Sequence, residues 1–149
     1  MSHFKTASEV LDFAIREEEA AAGFYTEMAS RAKSPRMRDV FESFAREELA
    51  HKGKLEKVRI EASGDFSSQD IANMQAEDYS VEEAADPDRS YAKALQLVMA
   101  KERAAFRLYT RLAEAAVKPE IRELLLALAQ EEASHKLSFE LEYDQIAEK

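Results

Sequence analysis

The sequence predicts an all-α protein: an antiparallel four-helix bundle with a long connection between the second and third helices. Three observations carry this. The 149 residues are 46% apolar and 34% charged, with only three Gly, three Pro and no Trp, a composition that favours long helices. Buried-type residues recur at alternating steps of four and three, the seam of a bundle helix. Finally, the chain repeats itself at a fixed offset of 84 positions: Glu18, Tyr25, Glu48 and His51 return as Glu102, Tyr109, Glu132 and His135, with Pro35 returning as Pro119. A matched repeat of this kind means one structural unit used twice.

The expected helices span about 7–32, 35–62, 88–116 and 119–146, joined by a connection over about 63–87, all within a single domain covering 1–149. Met1 to Lys5 read as a loose arm, with His3 exposed on it. Thr6-Ala7-Ser8-Glu9 has the form of a capping box. The first seam is Leu11, Ile15, Glu18, Ala22, Tyr25 and Ala29. Lys33-Ser34-Pro35 breaks the chain, with Ser34 placed to cap the next helix and Pro35 to open it. That helix carries Met37, Phe41, Phe44, Glu48, His51, Leu55 and Val58, and fades at Ser63-Gly64.

The connection is rich in turn-forming residues. It has room for a brief helix from about Ser68 to Gln75 and for another capped by Ser80-Val81-Glu82-Glu83. Ile71, Met74, Tyr79 and Val81 would pack it against the bundle. At ~3.3 Å per extended residue it is long enough to run the ~40 Å length of a helix. Asp86-Pro87-Asp88 reads as the start of the third helix, whose seam is Leu95, Met99, Glu102, Phe106, Tyr109 and Ala113. After Lys118-Pro119 the fourth follows with Ile121, Leu125, Leu128, Glu132, His135 and Phe139.

Four glutamates and two histidines therefore stand where apolar residues belong. Glu18 and Glu48 are 30 residues apart with their midpoint in the first break, and Glu102 and Glu132 repeat this about Val117. In an antiparallel pair each couple lies level, ~22 Å from its turn at 1.5 Å per residue. Unpaired charges in a core cost several kcal/mol each, and no Lys or Arg stands on these seams at matching heights. Two divalent cations would neutralise four carboxylates, with one imidazole for each metal. Oxygen and nitrogen donors with open positions suit iron or manganese, and suit zinc less for redox work. A lone Glu-x-x-His is weak evidence in so acidic a chain. Here, however, two of only three histidines fall in such pairs, both on inward seams.

Around these residues, Glu17, Glu19, Glu47 and Glu131 step off the seams and read as solvated face. Tyr25 and Tyr109 lie on the same stripes as Glu18 and Glu102. They are either core aromatics or hydrogen-bond partners of the ligand carboxylates. The net charge of −9 argues against nucleic acid and anionic membrane as partners. With no cysteine, disulfides, thiolate metal sites and Fe–S clusters are excluded. The longest apolar run, Leu124 to Ala129, has six residues, far short of a membrane span. A cytoplasmic location is the default expectation.

The stretches AIREEEAAAGFYTEMA, FAREELAH, VMAKERAAFRLYTRLA and LAQEEASH together resemble the rubrerythrin-like branch of the ferritin-like superfamily. The resemblance covers nearly the whole chain. It implies a bundle with a long crossover between helices two and three, holding two iron ions. The ligands would be Glu18, Glu48, His51, Glu102, Glu132 and His135, with Glu48 and Glu132 bridging. The implied activity is two-electron reduction of peroxide or dioxygen in oxidative-stress defence. Members proper of that group carry a further Glu three residues after the third-helix ligand, where this chain has Ala105; the ligand switching associated with that Glu has no residue here. They also usually carry a four-cysteine rubredoxin-like module, which this chain lacks, so a separate electron-donor protein is implied. Dimers are common in the group, and a homodimer is an expectation. Two other functions remain compatible with the sequence: an iron-binding or ferroxidase protein for iron handling, and a structural bundle retaining a vestigial site.

Overall fold

A computed structural model describes residues 3–82, 86 and 88–147. Four long helices dominate: α1 (Ala7–Arg31), α2 (Pro35–Ala62), α4 (Tyr91–Ala115) and α5 (Pro119–Ala147). Between α2 and α4 lie a short helix, α3 (Ser68–Ala72), and a 3₁₀ turn at Ala76–Tyr79. Local chemistry fixes the long helices' starts. Thr6 caps α1 with a complete capping box, its hydroxyl accepting from the Glu9 N–H while the Glu9 carboxylate accepts from the Thr6 N–H. Ser34 caps α2, followed by Pro35, whose missing N–H costs nothing in a first turn.

Two apolar layers close the bundle at its ends. One joins Met28 of α1, Phe41 of α2, Leu95 of α4 and Phe139 of α5. The other joins Leu11, Leu55, Leu112 and Leu125. The first layer takes the C-terminal halves of α1 and α5 and the N-terminal halves of α2 and α4. Hence α1 and α5 run one way and α2 and α4 the other. Two parallel neighbours in sequence, α2 and α4, need a connection that travels the length of the bundle, and residues 63–90 provide it.

That crossover is an ordered element. Its start is tied to the α4–α5 turn by Ser67 N–H donating to Ala115 O (2.8 Å) and Val117 N–H donating to Asp65 O (2.9 Å). Ile71, Met74 and Tyr79 are buried beneath it. Arg111 of α4 reaches Asp70 at 3.4 Å.

Several sequence expectations change here. The N-terminal arm is docked: Phe4 is buried, its N–H donates to Met74 O (3.0 Å), and His3, though exposed, contacts Ala72 O at 3.0 Å. The connecting helix ends at Ala72, and the chain turns again at Ala76. Val81 and Glu82, which would open a helix capped by Ser80, are not helical; Glu83 lies outside the described residues. The third long helix starts at Tyr91 with Ser90 as its cap, the Ser90 hydroxyl accepting from the Lys93 N–H at 3.1 Å. Pro87 lies outside the described residues. Phe106 is not a core residue, with 37% of its surface exposed. Its repeat mate Ala22 fills the same position and is buried; the bulkier ring turns to the rim, and small Ala104 and larger Leu108 take the inner stripe.

Candidate metal centre

Between the two apolar layers lies a layer with a different chemistry. Glu18, Glu48, His51, Glu102, Glu132 and His135 are each no more than 2% exposed. Each long helix contributes because its seam, stepping three and four, passes through this height. The level placement of the two hairpins brings the residues together as two groups. Glu18, Glu48, His51 and Glu132 form one; Glu48, Glu102, Glu132 and His135 form the other. In each group one potential ligand atom per residue lies within 4.8 Å of all the others, and Glu48 and Glu132 belong to both.

The Nδ1 atom of His51 approaches Glu132 Oε1 (2.8 Å), Glu18 Oε2 (3.3 Å) and Glu48 Oε1 (3.5 Å). On the other side His135 Nδ1 approaches Glu48 Oε1 (3.4 Å) and Glu102 Oε2 (3.7 Å). None of these contacts has hydrogen-bonding geometry. One atom from each of the six residues, Glu18 Oε2, Glu48 Oε1, His51 Nδ1, Glu102 Oε2, Glu132 Oε1 and His135 Nδ1, is buried with no hydrogen-bond partner. Buried polar atoms are nearly always satisfied in folded proteins, so six orphans converging on one layer mark a place built for something else to bind. Four carboxylates and two imidazoles are hard and borderline donors, and they fit two divalent first-row ions.

Three of the remaining atoms are held by partners from across the bundle. Tyr109 of α4 donates its hydroxyl to Glu18 Oε1 of α1 at 2.6 Å. Tyr25 of α1 donates to Glu102 Oε1 of α4. Both rings are 1% exposed. Burial, then the neighbouring carboxylates, pushes both phenols well above the usual tyrosine range, so they stay protonated and serve as donors. The two tyrosines are thus both core aromatics and orienting partners of carboxylates. The histidines differ: only His51 has its outer nitrogen hydrogen-bonded, whereas His135 Nε2 is buried without a hydrogen-bond partner. Glu131 Oε2 of α5 bonds His51 Nε2 of α2 at 3.0 Å, and Glu47 Oε1 of α2 lies 3.4 Å from His135 Nε2 of α5.

The solvated-face reading of Glu47 and Glu131 is therefore incomplete. Their side chains are 40% and 42% exposed, yet each turns an oxygen to a buried imidazole of the other hairpin. The signal was available: each immediately precedes a seam glutamate, so it faces the neighbouring helix of the opposite hairpin. Phe44, placed on the seam from sequence, stacks on the His135 ring with centroids 3.9 Å apart.

Without metal, the layer balances its charge with protons. Burial raises the Glu18 carboxyl from 4.5 to about 7, against contacts with His51 and Tyr109 that lower it. Burial and then Glu102, Glu18 and Glu48 push Glu132 well above the carboxylate range. Burial alone would lower the His135 imidazole, but Glu102 and Glu48 together outweigh it and raise the group from 6.5 to about 10. His51 is raised for the same reason, with Glu18 as the main opposing partner. Metal ions would take the place of these protons, so binding would release them.

A four-helix bundle with a lengthwise crossover, and with two carboxylate–imidazole groups sharing two glutamates at mid-height, defines a ferritin-like protein whose buried layer could hold metal. Comparison with known families agrees: residues 9–143 match the rubrerythrin family, and the chain belongs to it. No match is found among curated proteins or among solved structures.

Proposed function

We propose that this chain is a two-metal oxidoreductase that reduces peroxide, or dioxygen, with iron in the buried layer and electrons from a separate donor protein. The observation that carries the reading is the set of six unpartnered buried donor atoms converging on two groups that share Glu48 and Glu132. Glu48 and Glu132 would each serve both ions. Glu18 and His51 would complete one site, and Glu102 and His135 the other. A pair of Fe(II) ions, when bound, supplies the two electrons that, with two protons, take hydrogen peroxide to two waters.

The chain's own contribution is arrangement. Tyr109 and Tyr25 each occupy one oxygen of Glu18 and Glu102 and leave the other free for a metal. Glu131 fixes the His51 ring through Nε2 and leaves Nδ1 toward the layer, the kind of support that orients a ligand and raises its basicity. The two apolar layers exclude bulk water from above and below. The test is direct. Reduced, iron-loaded protein should consume peroxide stoichiometrically with its iron pairs, and Glu48→Ala or Glu132→Ala should abolish this. Variants that react like the parent chain would refute the proposal.

A second reading, iron handling by a ferroxidase-type protein, draws on the net charge of −9 and on half-exposed Glu47 and Glu131 beside the buried imidazoles. Dioxygen-driven oxidation of Fe(II) beyond two irons per chain would favour it; uptake that stops at two would count against storage.

A further inference from the structure

The buried layer is enclosed unequally on its two sides. Toward α2 and α5, His51 and His135 stand between the carboxylates and solvent, backed by Glu131, Glu47 and the Phe44 ring. Toward α1 and α4, a narrow cavity of ≈ 30 Å³ reaches Glu18, Glu48, Glu102 and Glu132 directly. No histidine lines it. Its walls at the level of the carboxylates are small: Ala21 and Ala105, which are repeat mates, with Ala104 and Leu108 beside them. The crossover supplies the rest of the enclosure through Tyr79, which is buried, and Val81, which is half-buried. The 3₁₀ turn that carries Tyr79 stands on α4.

This asymmetry has a physical reading. Large side chains at Ala21 and Ala105 would fill the gap between α1 and α4, as Phe41 and Phe139 fill the layer above. Instead the gap is left open to the faces of the carboxylates that the tyrosines and histidines do not occupy. Apart from Glu17 and Lys101, the walls over the carboxylate floor are apolar or aromatic, and such walls suit a small uncharged molecule, which loses little hydration on entering. A larger molecule must displace the crossover.

We infer that small neutral reactants reach the metals from the α1–α4 side through this cavity, and that Val81 and Tyr79 of the crossover set the size admitted. The inference rests on the proposed function only in that metal ions occupy the layer. Nitric oxide is a suitable probe, since it is small and neutral and its binding to Fe(II) is read optically without turnover. With iron content measured for every variant, Ala105→Leu should slow nitric oxide binding to the Fe(II)-loaded protein by about tenfold or more, a barrier increase of ~1.4 kcal/mol. Val81→Ala, which alters none of the six donor residues, should raise the rate with cumene hydroperoxide relative to hydrogen peroxide by about tenfold. If Ala105→Leu does not load, the same nitric oxide measurement on Val81→Ala decides, with faster binding expected. Unchanged nitric oxide rates in loaded variants would overturn the route. Slowing by Ala105→Leu with no effect of Val81→Ala on either measurement would overturn the crossover's part in it. Nitric oxide rates that shift as expected in a protein that does not consume peroxide would leave the route standing and sink the peroxide reading instead.

Discussion

Replacing Glu132 by methionine separates a metal site from a structural polar network, because the two make predictions of opposite sign. Methionine matches the volume of Glu132 and removes its charge. In the metal-free protein Glu132 is 1% exposed, its Oε1 has no hydrogen-bond partner, and its carboxyl is pushed well above the usual range by burial and three neighbouring glutamates. A group so placed opposes folding. Exchanging whole buried ion pairs for apolar groups of similar size is often stabilising, by ~1–4 kcal/mol, and Glu132, held neutral by its raised carboxyl, leaves no unpaired charge behind when it alone is exchanged. In a domain of this length that corresponds to roughly 3–12 °C in melting temperature. Binding of metal to the folded state at 100-fold excess over Kd adds ~2.7 kcal/mol per site by mass action. The parent chain should therefore melt low after chelation and gain on adding Fe(II) or Mn(II), whereas Glu132→Met should melt higher after chelation and gain little from metal. The assay is thermal unfolding of both proteins, chelated and metal-loaded, at one pH. If chelated Glu132→Met melts below the chelated parent by an amount equivalent to ~3–5 kcal/mol, the cost of breaking a satisfied buried pair, the carboxylate layer is structural and the reasoning fails.

Other consequences can be checked on the same material. Tyr109→Phe removes the hydroxyl held 2.6 Å from Glu18 Oε1 and should weaken metal binding by roughly 10–100-fold with little change in helix content, as followed by metal-competition titration and circular dichroism. Glu131→Gln should cost more metal affinity than Glu47→Gln, since Glu131 hydrogen-bonds His51 at 3.0 Å whereas Glu47 stands 3.4 Å from His135 without a hydrogen bond; equal losses would contradict this. The chelated protein should lose stability as pH rises. Between pH 4.5 and about 7 the folded chain keeps a proton on Glu18 that the unfolded chain releases. His135, raised from 6.5 to about 10, contributes stability that is full below 6.5 and fades toward pH 10. Denaturant unfolding from pH 5 to 9 should show a falling midpoint, and a rising one would mean that the layer is not balanced by protons.

How far the sequence reveals this arrangement depends on the range of the interactions. The seams and the breaks at Pro35 and Pro119 are local, written in periodicity and in turn chemistry, and they suffice to place Glu18 level with Glu48 and Glu102 level with Glu132. The carboxylate–imidazole layer follows because each member interrupts an apolar stripe. Contacts between hairpins are another matter. That Tyr25 serves Glu102 rather than the nearer-in-sequence Glu18, and that Glu131 supports His51, depends on how α1 meets α4 and α2 meets α5. No period within one helix encodes such a pairing. The crossover was legible as an ordered connection packed on the bundle through Ile71, Met74 and Tyr79, but its anchoring was not, since that comes from backbone bonds to Ala115 and Val117 and from Phe4 docking on Met74. The exposed position of Phe106 shows the limit of period counting. At 3.6 residues per turn, steps of three and four leave the stripe on opposite sides, and only packing decides which one is buried.

The duplicated hairpin also shows where function is free to differ between halves. Residues that meet across the bundle's internal two-fold relation are matched: Glu18 with Glu102, Tyr25 with Tyr109, Ala21 with Ala105. Mismatches sit one step outward. Glu17 is paired by the repeat with Lys101, both lining the α1–α4 cavity, and Phe44, stacked on His135, is paired with Leu128. The crossover, present once, covers only one face. A site made of equal halves would offer two metal positions equivalent in affinity and access. The off-symmetry residues break that equivalence without altering a single donor atom, so differences in affinity or access between the two halves should map to Phe44, Lys101 and the crossover rather than to the six glutamates and histidines. Exchanging Phe44 for the leucine that its mate supplies is the direct way to see this: it should change metal affinity at the His135 site more than at the His51 site, and an equal change at both would place the asymmetry elsewhere.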